Sequence, residues 1–238
     1  MGVTDFLSAR RLRTGHALLL GYRPDPALLL ETVRRCSPVA RADRKGIRVT
    51  RKMRLRGPID ITPAIESRAG LPTGWRTAYV LEETGRDIGG PYCAPWNVVE
   101  GLARLLNGAA HPEPGPRDAL ASVVGCREEM SPDRLVELLA GVIPDLRVHE
   151  WADDETLVFR NGTSPIRVLA IRYHSEREGR TNIEYEMDVE DPASRTPDLF
   201  MTGELAARLI AGETGGVAQD RDGFRLPDRD TPPHTPDL

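Results

Sequence analysis

The side chain best placed for covalent chemistry in this chain is Cys93. It follows Gly89-Gly90-Pro91-Tyr92 and stands just ahead of a helix expected to begin near Pro95. A thiol at a helix N-terminus has a lowered pKa and attacks as the thiolate, so Cys93 is the candidate nucleophile of a cysteine-dependent enzyme. The base such an enzyme needs has no clear source, because His16, His111, His149 and His174 stand at no motif spacing from it. Its other reading is a small apolar side chain beside a tight turn. Cys36 and Cys126 fall at a helix end and a strand end and read as core. No CxxC pair is present, so neither a disulfide framework nor a zinc site is expected.

Other catalytic and cofactor frames are missing. Glu128-Glu129 and Asp153-Asp154-Glu155 sit at turns, where solvated acids are usual, without an EF-hand or HExxH frame around them. There is no GxxxxGK[ST], and no GxGxxG tied to a strand. The expectation is therefore no metal, no nucleotide and no other cofactor.

What remains is charge in rows. Residues 41–56, RADRKGIRVTRKMRLR, hold eight basic side chains and one acid, Asp43. From Ile47 the stretch alternates, with Ile47, Val49, Met53 and Leu55 on one side and Arg48, Thr50, Lys52, Arg54 and Arg56 on the other. Period-2 alternation predicts a strand with one core edge and one cationic edge. An anionic counterpart lies further on, where Ile183, Tyr185, Met187 and Val189 alternate with Glu184, Glu186, Asp188 and Glu190. The rows have three readings: pairing inside the fold, recognition of a protein partner, or nucleic-acid binding by 41–56. A nucleic-acid strand face ordinarily adds aromatics for stacking or a protein-wide basic field. Here the cationic row has no aromatic and the pI is about 5.8.

The totals agree. Charged residues make up 29% and apolar types 39% of 238 residues, an ordinary globular composition with ample length for a core. The net charge of −4 is split unevenly, because residues 1–76 carry 16 basic and 6 acidic side chains and the remainder carries 16 and 30. No signal-like or membrane-spanning apolar run is present, and free thiols fit a cytoplasmic protein.

The elements that hold these rows come in a repeated order. Ala17-Leu-Leu-Leu-Gly-Tyr-Arg23 lines up with Ala121-Ser-Val-Val-Gly-Cys-Arg127 at an offset of 104. Asp25-Pro26 lines up with Ser131-Pro132, and Leu102-Ala-Arg-Leu-Leu-Asn-Gly108 with Ala206-Ala-Arg-Leu-Ile-Ala-Gly212. Ile47-Arg48-Val49 matches Ile166-Arg167-Val168 at a larger offset. Matches in one order at nearly one spacing point to an internal duplication.

The predicted fold is α+β, with two tandem β-α-β-β-β(-β)-α pseudo-repeats, antiparallel sheets and helices on one face. The predicted boundaries are an irregular N-terminal arm (1–14), a first repeat (15–110), a linker (111–117), a second repeat (118–212) and a disordered tail (213–238). The bare element order resembles that of TATA-binding-protein-like repeats and of other tandem α+β folds. The functional expectation is a non-catalytic cytoplasmic binding protein of the immunity, inhibitor or regulatory kind. It would use Arg48, Lys52, Arg54, Arg56, Glu184, Glu186 and Asp188, or the seam between repeats, to meet a protein partner. A nucleic-acid module built on 41–56 and an enzyme built on Cys93 are the alternatives.

Overall fold

The polar N-terminal stretch is a helix, not an irregular arm. Val3–Thr14 forms α1, anchored by buried Ala9 and Leu12 while Phe6, Leu7, Arg10, Arg11 and Arg13 stay exposed. Two anchors at i and i+3 make too narrow a stripe to read as amphipathic. The first unit continues with β1 (His16–Leu20), α2 (Pro26–Cys36), β2 (Arg41–Asp43), β3 (Gly46–Arg48), β4 (Met53–Asp60), α3 (Pro63–Ala69), β5 (Thr77–Glu83), α4 (Pro95–Leu105) and β6 (Ala109–His111). The second unit runs β7 (Leu120–Cys126), α5 (Pro132–Leu139), β8 (Arg147–Trp151), β9 (Thr156–Arg160), β10 (Ile166–Ser175), β11 (Arg180–Val189), α6 (Pro197–Thr214) and β12 (Val217–Asp220). This computed structural model describes residues 3–83, 95–113, 120–162, 164–175, 179–190 and 196–227.

The fold is α+β, with two six-stranded sheets whose strand pairs are all antiparallel. The first sheet has the order β2-β3-β4-β5-β1-β6 and the second β8-β9-β10-β11-β7-β12. Position by position these are one order, as a tandem repeat requires. The order also corrects one alignment: β10 occupies the place of β4, so the Ile47 and Ile166 tripeptides lie in non-equivalent strands. A shared Ile-Arg-Val reflects only the apolar-cationic alternation that either strand needs.

Helix starts follow a common local rule. Asp25 Oδ1 accepts from the N–H groups of Ala27 and Leu28 ahead of α2, and Ser131 Oγ accepts from Arg134 N–H ahead of α5. Thr62 and Thr196 do the same for α3 and α6. Each cap precedes a proline, whose missing N–H is an orphan at that position anyway.

In the second unit α5 and α6 share one face of the sheet, over Phe159, Ile166, Val168, Ile183, Tyr185 and Met187. In the first, α2 and α4 cover Leu18, Leu20, Ile47, Leu55, Tyr79 and Leu81. There α1 and α3 add a layer on the opposite face, over Ala17, Leu19, Ala78 and Val80. The extra layer explains why β1 is buried on both sides and reads as an unbroken apolar run.

The expected disordered tail is ordered as far as it is described. β12 pairs with β7, Leu226 enters the second core, and Asp222–Phe224 belongs to the first unit. There Phe224 is fully buried against α4, where a Cβ at Gly101 would collide with its ring. Buried Asp222 receives Arg104 Nε at 3.1 Å. One aromatic and one acid in a polar segment leave no compositional trace.

Candidate interaction face of the first unit

The basic stretch is three short strands rather than one. Its alternation fails at Arg51, and there the chain turns: Thr50 Oγ1 accepts from the N–H groups of Lys52 and Met53, closing the β3–β4 hairpin. Ahead of it Asp43 Oδ1 accepts from Lys45 N–H and closes the β2–β3 hairpin. Gly46 follows at φ +118, a left-handed backbone where a Cβ would strike Leu55 O.

Folding the stretch back on itself stacks its charges across strands. Arg41 pairs with Arg48, Arg48 with Arg54, and Arg54 with Glu82 on β5. Directly opposed residues share a face, so three arginines and one glutamate form a single row. The row behind it, Ala42, Ile47, Leu55 and Leu81, faces the α2–α4 side and is largely core.

Two acids lie against this row. Arg54 Nη1 is bound by Asp43, which holds the Asp43 carboxyl below its usual range and the Arg54 guanidinium above. Arg56 Nε is bound by Glu82, and Arg11 Nε from α1 stands 3.8 Å from the other Glu82 oxygen. Arg48 Nε donates to Thr50 O at 3.3 Å. Arg41, Arg44, Lys45, Arg51 and Lys52 are exposed around the edge and the hairpin tips.

Of the residues expected to bind, Arg48, Arg54 and Arg56 therefore lie together, and Lys52 sits in the β3–β4 turn. Arg11 lies outside the stretch 41–56 and was not expected, and Arg41 and Arg44 were not singled out within it. Arg11 has a local signal, since basic residues in the last turn suit a helix C-terminus. Arg41 has none, because its place in the row depends on two hairpins.

The anionic row lies in a different sheet and is not an open face. Asp188 is buried, and its Oδ2 accepts from Arg167 Nε at 2.9 Å and Nη2 at 2.6 Å from the neighbouring β10. Glu190 takes Arg160 at 2.6 Å and Arg167 at 3.3 Å. Glu184 and Glu186 are half-buried. Elsewhere in that unit, Arg172 is clasped by Glu129 and lies 5.0 Å over the exposed Trp151 ring.

Cys93 lies outside the described residues, so the expectation of a thiolate at a helix N-terminus stands only as a sequence reading. Cys126 is buried, and burial pushes its thiol pKa up. Among the described residues no three of His, Cys, Asp and Glu gather as a metal would need. No described helix is long and apolar enough to cross a membrane. The chain matches no family model, no curated protein and no solved structure.

Proposed function

We propose that this is a non-catalytic binding protein, of the inhibitor, immunity or regulatory kind, that takes an acidic protein partner on the outer face of β2–β4. The supporting observation is the row Arg41–Arg48–Arg54. Like charges at directly opposed sheet positions are destabilising, so a sheet shaped for stability alone has no use for such a row. Asp43 and Glu82 offset part of it and leave a cationic surplus that an anionic partner would complete.

A protein partner suits the face better than nucleic acid. The strands are three residues long at the edge, and no aromatic stands in the row for bases to stack on. The test is a cross-linked pull-down with the native chain and with a variant carrying Arg48→Ser, Lys52→Ser, Arg54→Ser and Arg56→Ser. Acidic proteins recovered by the native chain, resistant to nuclease and lost with the variant, are the expected result. Recovery that survives the substitutions, or that nuclease abolishes, overturns the proposal.

A further inference from the structure

The cationic face is a seat with a floor and a wall. On the outer side of the first sheet, α1 and α3 cover β1, β5 and the far end of β4, where Ile59 packs with them. Over β2, β3 and the start of β4 no described helix of this unit packs. That strip is three strands wide. At about 4.8 Å between strands it spans roughly 10–15 Å, about two to three turns of an α-helix laid across it.

The opposite side of the same strands shows what such a strip accommodates. There Leu29 and Val33 of α2 join Ile47, Met53 and Leu55 in one core cluster. On the outer side the floor is Arg41, Arg48, Arg54 and Arg56. The wall is α1, whose Arg11 reaches Glu82 beside Arg56. Leu7 lies one turn before Arg11 on the same flank, at a spacing that makes helical residues neighbours, and is 47% exposed.

Resting on the acidic-partner reading, we propose that the partner presents an acidic amphipathic helix. It would lie across β2, β3 and β4 with one end toward α1, its carboxylates over the arginine row and an apolar side chain against Leu7. On a helix, carboxylates at i, i+3 or i+4 stand about 5–6 Å apart. The arginines of the row step at about 4.8 Å from strand to strand. Two or three acids along one stripe therefore meet two or three arginines without distorting either element. An extended acidic segment lacks this match on one side, since its same-face residues recur at about 6.6–7 Å. The free backbone edge of β2 is also only three residues long.

The experiment uses the full chain and two labelled peptides read by fluorescence anisotropy. One is an acetylated, amidated helical peptide of Glu, Ala and Leu, about five turns long, with Glu at i, i+4, i+7 and i+11 and Leu on the adjoining flank. The other has the same composition with two central prolines, which break the helix. A mixed-sequence DNA duplex and its single strand serve as further probes. The helical peptide is expected to bind roughly ten-fold more tightly than the interrupted one. Binding should fall by a similar factor for Arg41→Ser with Arg48→Ser, by several-fold for Leu7→Ser, and not at all for the control Arg147→Ser on β8. Thermal melts confirm that each variant is folded.

Equal binding of the two peptides, lost with Arg41→Ser and Arg48→Ser, overturns the helix and leaves the acidic-partner reading standing. Binding of neither peptide overturns both. DNA bound more tightly than either peptide replaces the protein partner with nucleic acid.

Discussion

Tyr185 shows how far a single buried group can report on this fold. Its side chain is fully buried, and its hydroxyl oxygen accepts the Met130 N–H at 2.8 Å. Burial penalises the phenolate and pushes the pKa up to about 12. The folded state therefore favours the neutral form. That contribution is whole below about pH 10, the ordinary tyrosine value, and is lost as pH rises through about 12. Spectrophotometric titration of the five tyrosines should show one that ionises only with alkaline unfolding, and Tyr185→Phe should remove that late step. A late step that persists in Tyr185→Phe would place it elsewhere; Tyr79, which burial also raises, is the other candidate.

At the scale of elements, the two charged rows differ in how completely their own strands satisfy them. On β10 and β11 Arg167 sits opposite Asp188, opposite charges in directly opposed positions. On the outer face of β2, β3 and β4 arginine stands opposite arginine, Arg41 against Arg48 and Arg48 against Arg54. The first arrangement is structural. Arg167→Ala should destabilise the second unit by about 3 kcal/mol, because it leaves the buried Asp188 carboxylate uncompensated. Urea melts would measure this, and a loss under about 0.5 kcal/mol, typical of an exposed pair, would refute it. The companion change Arg41→Ser removes a charge with no opposed acid and should leave the melt in place.

For the whole molecule, charge divides with the fold. The first unit, 1–117 with Asp222–Phe224, carries 19 basic and 12 acidic side chains, a net +7. The remainder carries 13 and 24, a net −11. The chain's −4 thus conceals a basic unit that can attract an anionic partner. The first unit is also discontinuous in sequence, since its core includes Phe224. Phe224→Ala should cost about 3–5 kcal/mol, the usual penalty for emptying a buried aromatic site. Hydrogen exchange should locate the loss first in α4, whose Gly101 faces the ring. Unchanged protection of α4 would contradict this placement.

Local chemistry was legible in the sequence. The capped proline starts at Asp25 and Ser131, the buried run at 17–20 and the apolar stripe of α4 each carry their signal within one or two turns. Three features were not legible. α1 looked irregular because only Ala9 and Leu12 anchor it. The single basic strand became two hairpins because Thr50 and Asp43 cap turns inside an alternation that seemed continuous. The tail looked disordered because its two decisive residues, Asp222 and Phe224, are held by α4, more than a hundred positions earlier.

The sequence by itself determined the α+β class, the paired strand-helix units and the presence of two oppositely charged alternating stretches, since these depend on periodicity and caps between near neighbours. Only the tertiary structure decided what the charges meet. Register across β2, β3, β4 and β5 lines up Arg41, Arg48, Arg54 and Glu82 on one face, while register between β10 and β11 buries Asp188 on Arg167. Cross-strand neighbours are set by turns and sheet order rather than by chain distance. The same alternating pattern therefore yields an internal ion pair in one sheet and a cationic surface in the other.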